Sequence, residues 1–242
     1  MTGKFSTIDH IEFVETNPEQ YEQKYVHDAY NNVAHSFSHT RHTPWAKIKE
    51  YLSNIPLNNI LLDVGCGNGK NLGIFKGESY GCDTCQELLT IAKKKCDNVK
   101  ISNILNLDYD DNFANNVICI SVLHHLASKE RRLQAIKELI RVCKNGGEIL
   151  IYVWAKQEKE AEQMVSFQHN GIDLNRYYHL FEKDELIELC SINIVQILDV
   201  YFDKENWAIL LRKNEIKKRI SFSKKLEVAK TDAIFYKTEI TN

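Results

Sequence analysis

The stretch Leu61-Leu62-Asp63-Val64-Gly65-Cys66-Gly67-Asn68-Gly69-Lys70 decides the fold. An apolar run ends in an acidic residue, turns through three glycines at alternate positions, and gives way to helix-compatible sequence. Buried parallel strands read as short apolar runs, so Ile60 to Val64 is predicted to be the first strand of an α/β sheet. Glycine at every second position lets the backbone approach a ligand at the carboxyl end of that strand. The spacing is G-x-G-x-G rather than G-x-G-x-x-G, and taken alone it also suits a plain glycine-rich turn.

Outward from the turn the chain alternates between strand and helix. Upstream, Pro18 to Ser36 reads as a helix with Tyr21, Tyr25, Ala29 and Val33 in an i, i+4 row. Thr43 can cap a second helix with Pro44 at its first position and Trp45, Ile48 and Leu52 on its inner face. Downstream of the glycine turn a short helix leads to strand Tyr80–Asp83. Helix Gln86–Cys96 and strand Val99–Ser102 come next, then strand Val117–Val122 and helix Lys129–Val142. Asn145-Gly146-Gly147 ends that helix and strand Glu148–Trp154 begins. A polar segment and a helix near Lys183–Cys190 precede strands Ile194–Phe202 and Trp207–Arg212, whose short connection makes them an antiparallel pair. Such alternation predicts a mainly parallel sheet with helices on both faces. The expected division is an N-terminal helical extension over residues 1–55, an α/β domain over 56–213, and a tail over 214–242. Whether the tail packs through Ile220, Phe222, Leu226, Ile234 and Phe235 stays open at this level.

Composition narrows the possibilities. A length of 242 residues suits one α/β domain with an addition, and a formal charge of -2 gives no global attraction to nucleic acid. No apolar run is long enough to span a bilayer, and residues 1–15 carry no signal-peptide core. Seven cysteines without such a signal point to a reducing, cytoplasmic setting. Cys82-Asp83-Thr84-Cys85 is a C-x-x-C, but no second cysteine pair completes a zinc site, so no metal is expected.

Asp83 ends the second predicted strand ~20 residues after Asp63, where an acid can hold ribose hydroxyls. Glycine turn and acid, in this order, resemble the S-adenosylmethionine site of Rossmann-like class I methyltransferases, which implies a seven-stranded α/β sheet. Further blocks resemble one family, the eukaryotic tRNA wobble-uridine carboxymethyl O-methyltransferases. They are Tyr25-Val26-His27-Asp28-Ala29-Tyr30, Phe37-Ser38-His39-Thr40-Arg41-His42-Thr43-Pro44-Trp45, Leu123-His124-His125-Leu126, Tyr152-Val153-Trp154-Ala155 and Arg176-Tyr177-Tyr178-His179. Three departures stand out: Asn103 where the family tends to have an acid, Asp108 where proline is usual, and no valine-proline-tryptophan segment between Trp154 and Arg176.

The resemblance implies methyl transfer from S-adenosylmethionine to the carboxylate of 5-carboxymethyluridine in tRNA. A carboxylic acid has a pKa near ~4, so the nucleophile is already ionised at neutral pH and no general base is required. Placement of the oxygen and exclusion of water then carry the catalysis. The expected cofactor residues are Tyr30, Asp63, Gly65, Cys66, Gly67, Gly69, Asp83, Thr84 and Asn103. Arg41, His124 and Arg176 are the catalytic candidates. The guanidinium of Arg41 or Arg176 can hold a carboxylate or phosphate bidentately. Arg176 is equally open to a surface role, and His124 stands where class I enzymes place substrate-facing residues. Arg41 is open between substrate, cofactor carboxyl and surface. His124 is favoured over His125 to face the ligand. Trp45, His125 and Tyr177 are substrate candidates, with Trp45 and Tyr177 suited to stacking a base from a single-stranded loop. Arg131, Arg132 and Lys217-Lys218-Arg219 are tRNA-backbone candidates ahead of Lys93-Lys94-Lys95. The resemblance also implies a partner, a small zinc-binding activator subunit adding a strand beside Val99 to Ser102. Two other readings are a small-molecule O-methyltransferase and a non-catalytic scaffold that binds S-adenosylmethionine.

Overall fold

The computed structural model describes residues 17–40, 43–169 and 172–215. Strand β1 (Leu61–Val64) is wholly buried and sits at the middle of the sheet. It pairs in parallel with β2 (Ser79–Asp83) on one side and β4 (Ala114–Ile120) on the other. β3 (Val99–Ile101) lies outside β2, and β5 (Cys143–Trp154) outside β4. β9 (Asn206–Lys213) and β8 (Val195–Asp203) complete the sheet antiparallel, giving the seven-stranded order β3-β2-β1-β4-β5-β9-β8. The order reverses between β1 and β4, and in open α/β sheets ligands bind in the crevice at such a point.

Successive side chains of these strands enter opposite core layers, as the period of two requires. Leu62, Val64, Val117, Cys119, Ile149 and Ile151 pack with Ile136 and Leu139 of α5 (Lys129–Val142) and with Leu186 and Leu189 of α6 (Lys183–Cys190). Leu61, Ile118, Ile120, Leu150 and Tyr152 pack on the other face with Ile48 and Leu52 of α3 (Ala46–Asn54). Each such aliphatic side chain contributes about 1.5–3 kcal/mol on burial, which is why a β1 as short as this, with Leu61, Leu62 and Val64 buried, can hold the centre.

Several local expectations shift. The first helix runs on to Thr40, as α1 (Pro18–Glu22), a π-helical turn (Gln23–His27) and α2 (Asp28–Thr40) without a break. Thr43 and Pro44 precede α3 rather than opening it, because extended Trp45 is the N-cap. The segment after the glycine turn is a series of turns, not a regular helix. Helix α4 (Gln86–Ala92) stops before the three lysines, where Lys94 and Lys95 donate to Ile91 and Ala92, tightening the last turn. The polar segment after Trp154 forms a separate antiparallel pair, β6 (Glu162–His169) and β7 (Ile172–His179), that sequence reading did not foresee. Among the described residues no helix is long and apolar enough to cross a membrane.

Candidate active site

A cavity opens at the carboxyl ends of β1, β2 and β4, under the Pro18–Thr40 helical run. Its floor is the glycine turn. Gly65 has a φ of 73°, and a Cβ there would lie 2.2 Å from Val122 Cγ2, so only glycine fits. Gly67 has a φ of 53°, and nothing lies within 4 Å of where its Cβ would be, which opens its backbone to the cavity. Asp83 at the end of β2 accepts hydrogen bonds from Gly67 N–H and Cys85 N–H, both at 2.9 Å. Burial pushes its carboxyl above the usual range, against the pull of those backbone donors. Thr84 beside it meets His27 Nδ1 at 3.1 Å. Asn103 follows β3 in the wall, its Oδ1 fixed by Leu105 N–H at 2.9 Å.

The helical run closes the upper side because it is anchored at both ends of its wide turn. Glu22 accepts the Ala127 N–H at 2.7 Å and holds the Arg131 guanidinium at 2.8 and 2.6 Å. Beyond the turn, Tyr30 Oη lies 2.9 Å from His125 Nε2. His125 Nδ1 is 2.9 Å from the Tyr177 carbonyl, which can only accept, so the proton sits on Nδ1 and Nε2 accepts from Tyr30. Burial drives His125 down to about 3, ahead of the opposing bond to Tyr177. His124 accepts the Trp154 N–H on Nδ1 at 3.1 Å, and burial holds it well below the ordinary histidine range. Both rings are therefore neutral at physiological pH. Both line the wall, so the expected division into one ligand-facing and one packed histidine is not what the chain builds.

Ten of the residues singled out from sequence share this wall: Tyr30, Trp45, Gly65, Cys66, Gly67, Asp83, Thr84, Asn103, His124 and His125. Others stand elsewhere. Asp63 is buried beneath the turn, bonded to Asn71 Nδ2 at 3.3 Å, with burial raising its carboxyl to about 7. Gly69 packs the turn against α4, since a Cβ there would meet Ala92 at 3.0 Å. Arg176 is 3% exposed and stands behind the wall, its guanidinium 5.5 Å from the ring centres of Tyr30 and Tyr178. Tyr177 cannot stack a base: its ring is fully buried against Tyr21 and its hydroxyl is taken by Glu162. Alternation along β7 instead brings Tyr178 into the wall, stacked on Trp154 at 4.3 Å. Arg41 lies outside the described residues, as do Lys217, Lys218 and Arg219. Arg131 is occupied by Glu22, and Arg132 is buried, so neither is placed to grip a phosphate backbone. Cys82 and Cys85 are buried free thiols, and among the described residues no cluster fits a metal ion.

His27, Trp154, Tyr178 and Lys70 also line the cavity without having been singled out as site residues. Lys70 directly follows the glycine pattern, and its ammonium sits 5.4 Å from the Trp45 ring centre. Position after the third glycine was the available signal for it.

A seven-stranded sheet of this order, with a glycine-floored cavity at the strand ends, defines a class I S-adenosylmethionine-dependent methyltransferase. Residues 62–151 match the methyltransferase domain family, and the cofactor of this fold and domain is S-adenosylmethionine. The chain is 32% identical to the tRNA (carboxymethyluridine(34)-5-O)-methyltransferase of Schizosaccharomyces pombe, over 81% of this chain and 99% of that protein. It is 38% identical to the Arabidopsis thaliana protein of the same name over 68% of this chain, spanning 41% of that longer relative. The chain belongs to the tRNA (carboxymethyluridine(34)-5-O)-methyltransferase family. Its fold is also similar, with a TM-score of 0.58 and 16% identity, to a chain solved in the complex of the Haloferax volcanii Trm112 methyltransferase activator with a methyltransferase. That match covers 79% of this chain and 99% of the other.

Proposed function

We propose that this protein transfers a methyl group from S-adenosylmethionine to the carboxylate of 5-carboxymethyluridine at the tRNA wobble position, giving the methyl ester. Near-complete alignment with the fission yeast enzyme carries this reading, and the chemistry of the cavity supports it. The open approach at Gly67, with Asp83, Thr84 and Asn103 at neighbouring strand ends, suits a cofactor with ribose and base edges to hold. Bound there, S-adenosylmethionine supplies an electrophilic methyl group on its sulfonium.

The chain's own residues then have little proton chemistry to do. A substrate carboxylate is ionised at neutral pH, so it needs orientation rather than a base. Among the described wall residues the two carboxylates are committed elsewhere, Glu22 to Arg131 and Asp83 to backbone N–H groups. His124 and His125 are neutral and so do not quench an incoming carboxylate by salt formation. Positive charge comes from Lys70 in the wall and Arg176 behind it, with Arg41 a further candidate outside the described residues. The rings of Trp45 and Trp154 offer flat apolar surface for a uracil and exclude water from the reacting oxygen. On this reading residues 1–55 are an extension that completes the active site, since His27, Tyr30 and Trp45 all reach the cavity.

The same reading assigns a partner and a place. β3 is the edge of the sheet, three residues long, and its last residue, Ile101, is 49% exposed. This edge suits strand addition by a small zinc-binding activator subunit. All seven cysteines are free thiols, which suits a cytoplasmic location.

Nucleoside mass spectrometry of tRNA from cells lacking the protein tests the activity. The methyl ester should disappear while free 5-carboxymethyluridine accumulates, and an unchanged ester level would overturn the assignment.

A further inference from the structure

His179 ends β7, away from the cavity, and is held between two carboxylates. Its Nδ1 lies 2.7 Å from Glu162 Oε1 on β6, and its Nε2 lies 2.7 Å from Glu185 Oε1 on α6. A neutral imidazole has one N–H and one lone pair, and an ionised carboxylate can only accept. Both short contacts are satisfied together when the ring is an imidazolium. Charge balance agrees. Arg132 of α5 stands 3.8 Å from Glu185, so Glu162, Glu185, Arg132 and a charged His179 sum to zero in a largely buried cluster. Tyr177 donates its hydroxyl to Glu162, the Phe181 ring packs edge-on at 4.8 Å, and His124 is neutral. Lys129 and Lys156 also act on Glu185 through space, but each is neutralised by its own carboxylate partner, Glu188 and Glu182.

We propose that His179, as an imidazolium bridging Glu162 and Glu185, is a positioning residue for methyl transfer that locks β7 into the cavity wall and frees it on losing its proton. This rests on the methyl-transfer reading of the cavity. The connection to the site is covalent and short. Tyr178, its neighbour, is in the wall, and the Tyr177 carbonyl fixes the His125 tautomer that receives the Tyr30 hydroxyl. A shift of β7 therefore disturbs Tyr178, His125 and Tyr30 at once, and displacements of about 1 Å can cost on the order of 100-fold in rate.

The sign of the pH effect follows. Burial works against charge on His179, but the bonds to Glu162 and Glu185 outweigh it and raise the ring above its ordinary range. Burial likewise opposes charge on Glu185, yet His179 brings its carboxyl below the usual value. The bridge thus fails as pH rises through the raised histidine value, and fails in acid as Glu185 is protonated. The alkaline loss has the opposite sign to a general-base requirement, which would cut activity in acid.

The test uses the full-length protein with two independent arms. Imidazole nitrogen NMR, with His179→Gln identifying the resonance, should show His179 doubly protonated where an ordinary histidine is half-titrated and losing its proton only above the ordinary histidine range. Amide exchange in β6–β7 should rise with pH beyond its intrinsic base catalysis over the same range. In the second arm, kcat for 5-carboxymethyluridine tRNA should fall on the alkaline side, and Glu185→Gln should move that fall to lower pH. His179→Gln should lose on the order of tenfold or more in kcat at neutral pH and show no such alkaline fall. A His179 that titrates at or below the ordinary histidine value, or an alkaline fall unmoved by Glu185→Gln, overturns the proposal. A wild-type protein that is inactive on this tRNA but shows the charged ring overturns the reading of the cavity instead.

Discussion

Gly67 is where a single side chain separates fold from function. Its φ of 53° disfavours any residue with a Cβ, and the space in front of it is the cavity itself. Gly67→Val adds strain of about 1–2 kcal/mol, tolerable for a domain of this size, while its methyls occupy the cofactor's approach. Calorimetry should show S-adenosylmethionine binding abolished in a variant that still unfolds cooperatively; undiminished affinity would remove the glycine turn from the site. Positions of this kind were legible from the sequence where backbone geometry dictates the residue type, as at Gly65 and Gly67, and at Asp83, which ends β2 and accepts the Gly67 N–H. They were not legible where the phase of a strand decides. Tyr177 and Tyr178 are chemically identical, and only the pleat of β7 sends one into the wall and the other against Tyr21. Asp63 misled for a related reason: an acid at a strand end reads as a ligand contact, yet here burial places it under the turn.

At the scale of elements, the sequence carried the β/α alternation because the central parallel strands β1, β4 and β5 contain compact apolar runs. The hairpin β6–β7 escaped because Glu162 to His169 has no such run and little apolar alternation. Its stability comes from cross-strand pairing and the buried carboxyl end of β7, Arg176 to His179, which are properties of the assembled molecule. The π-helical turn escaped as well, since one inserted residue leaves the apolar spacing nearly intact. The helical run that contains it depends on Glu22. This carboxylate satisfies a buried N–H and a guanidinium, so Glu22→Ala leaves both without their partner. Breaking such a pair should cost roughly 3 kcal/mol, the low end for buried pairs, because Arg131 keeps some solvent access. Since the same run brings Val26, His27 and Tyr30 over the cavity, cofactor affinity should fall together with stability. Denaturant melts alongside calorimetric titration measure both. A variant as stable and as tight-binding as the wild type would show that the anchor is dispensable.

On the scale of the whole molecule, an open seven-stranded sheet has two edges, and they are unlike. β8 is nine residues long and pairs along most of its length with β9. β3 has three residues and pairs only with β2, leaving a row of backbone donors and acceptors on its outer side. Lys100 would blunt this edge if it projected outward. It is instead drawn to Asp108 at 2.8 Å and lies over the Tyr109 ring at 4.2 Å, while Ile101 is half exposed next to it. Charge that could repel another strand is thereby paired, and an apolar side chain is presented. A strand from the proposed activator subunit would gain main-chain bonds along β3 and an apolar contact at Ile101. Ile101→Glu places a like-for-unlike mismatch in that contact without touching the cavity, from which Ile101 is absent. Co-expressed with the activator, this variant should recover much less of the complex in size-exclusion chromatography. Cofactor binding by the isolated variant should match that of the isolated wild-type chain. The wild-type chain made alone should be poorly soluble or slow, and co-expression should rescue it. A soluble monomer that methylates tRNA at full rate, with activity unaltered by the added subunit, would leave β3 a solvent-facing edge and end the case for a partner there.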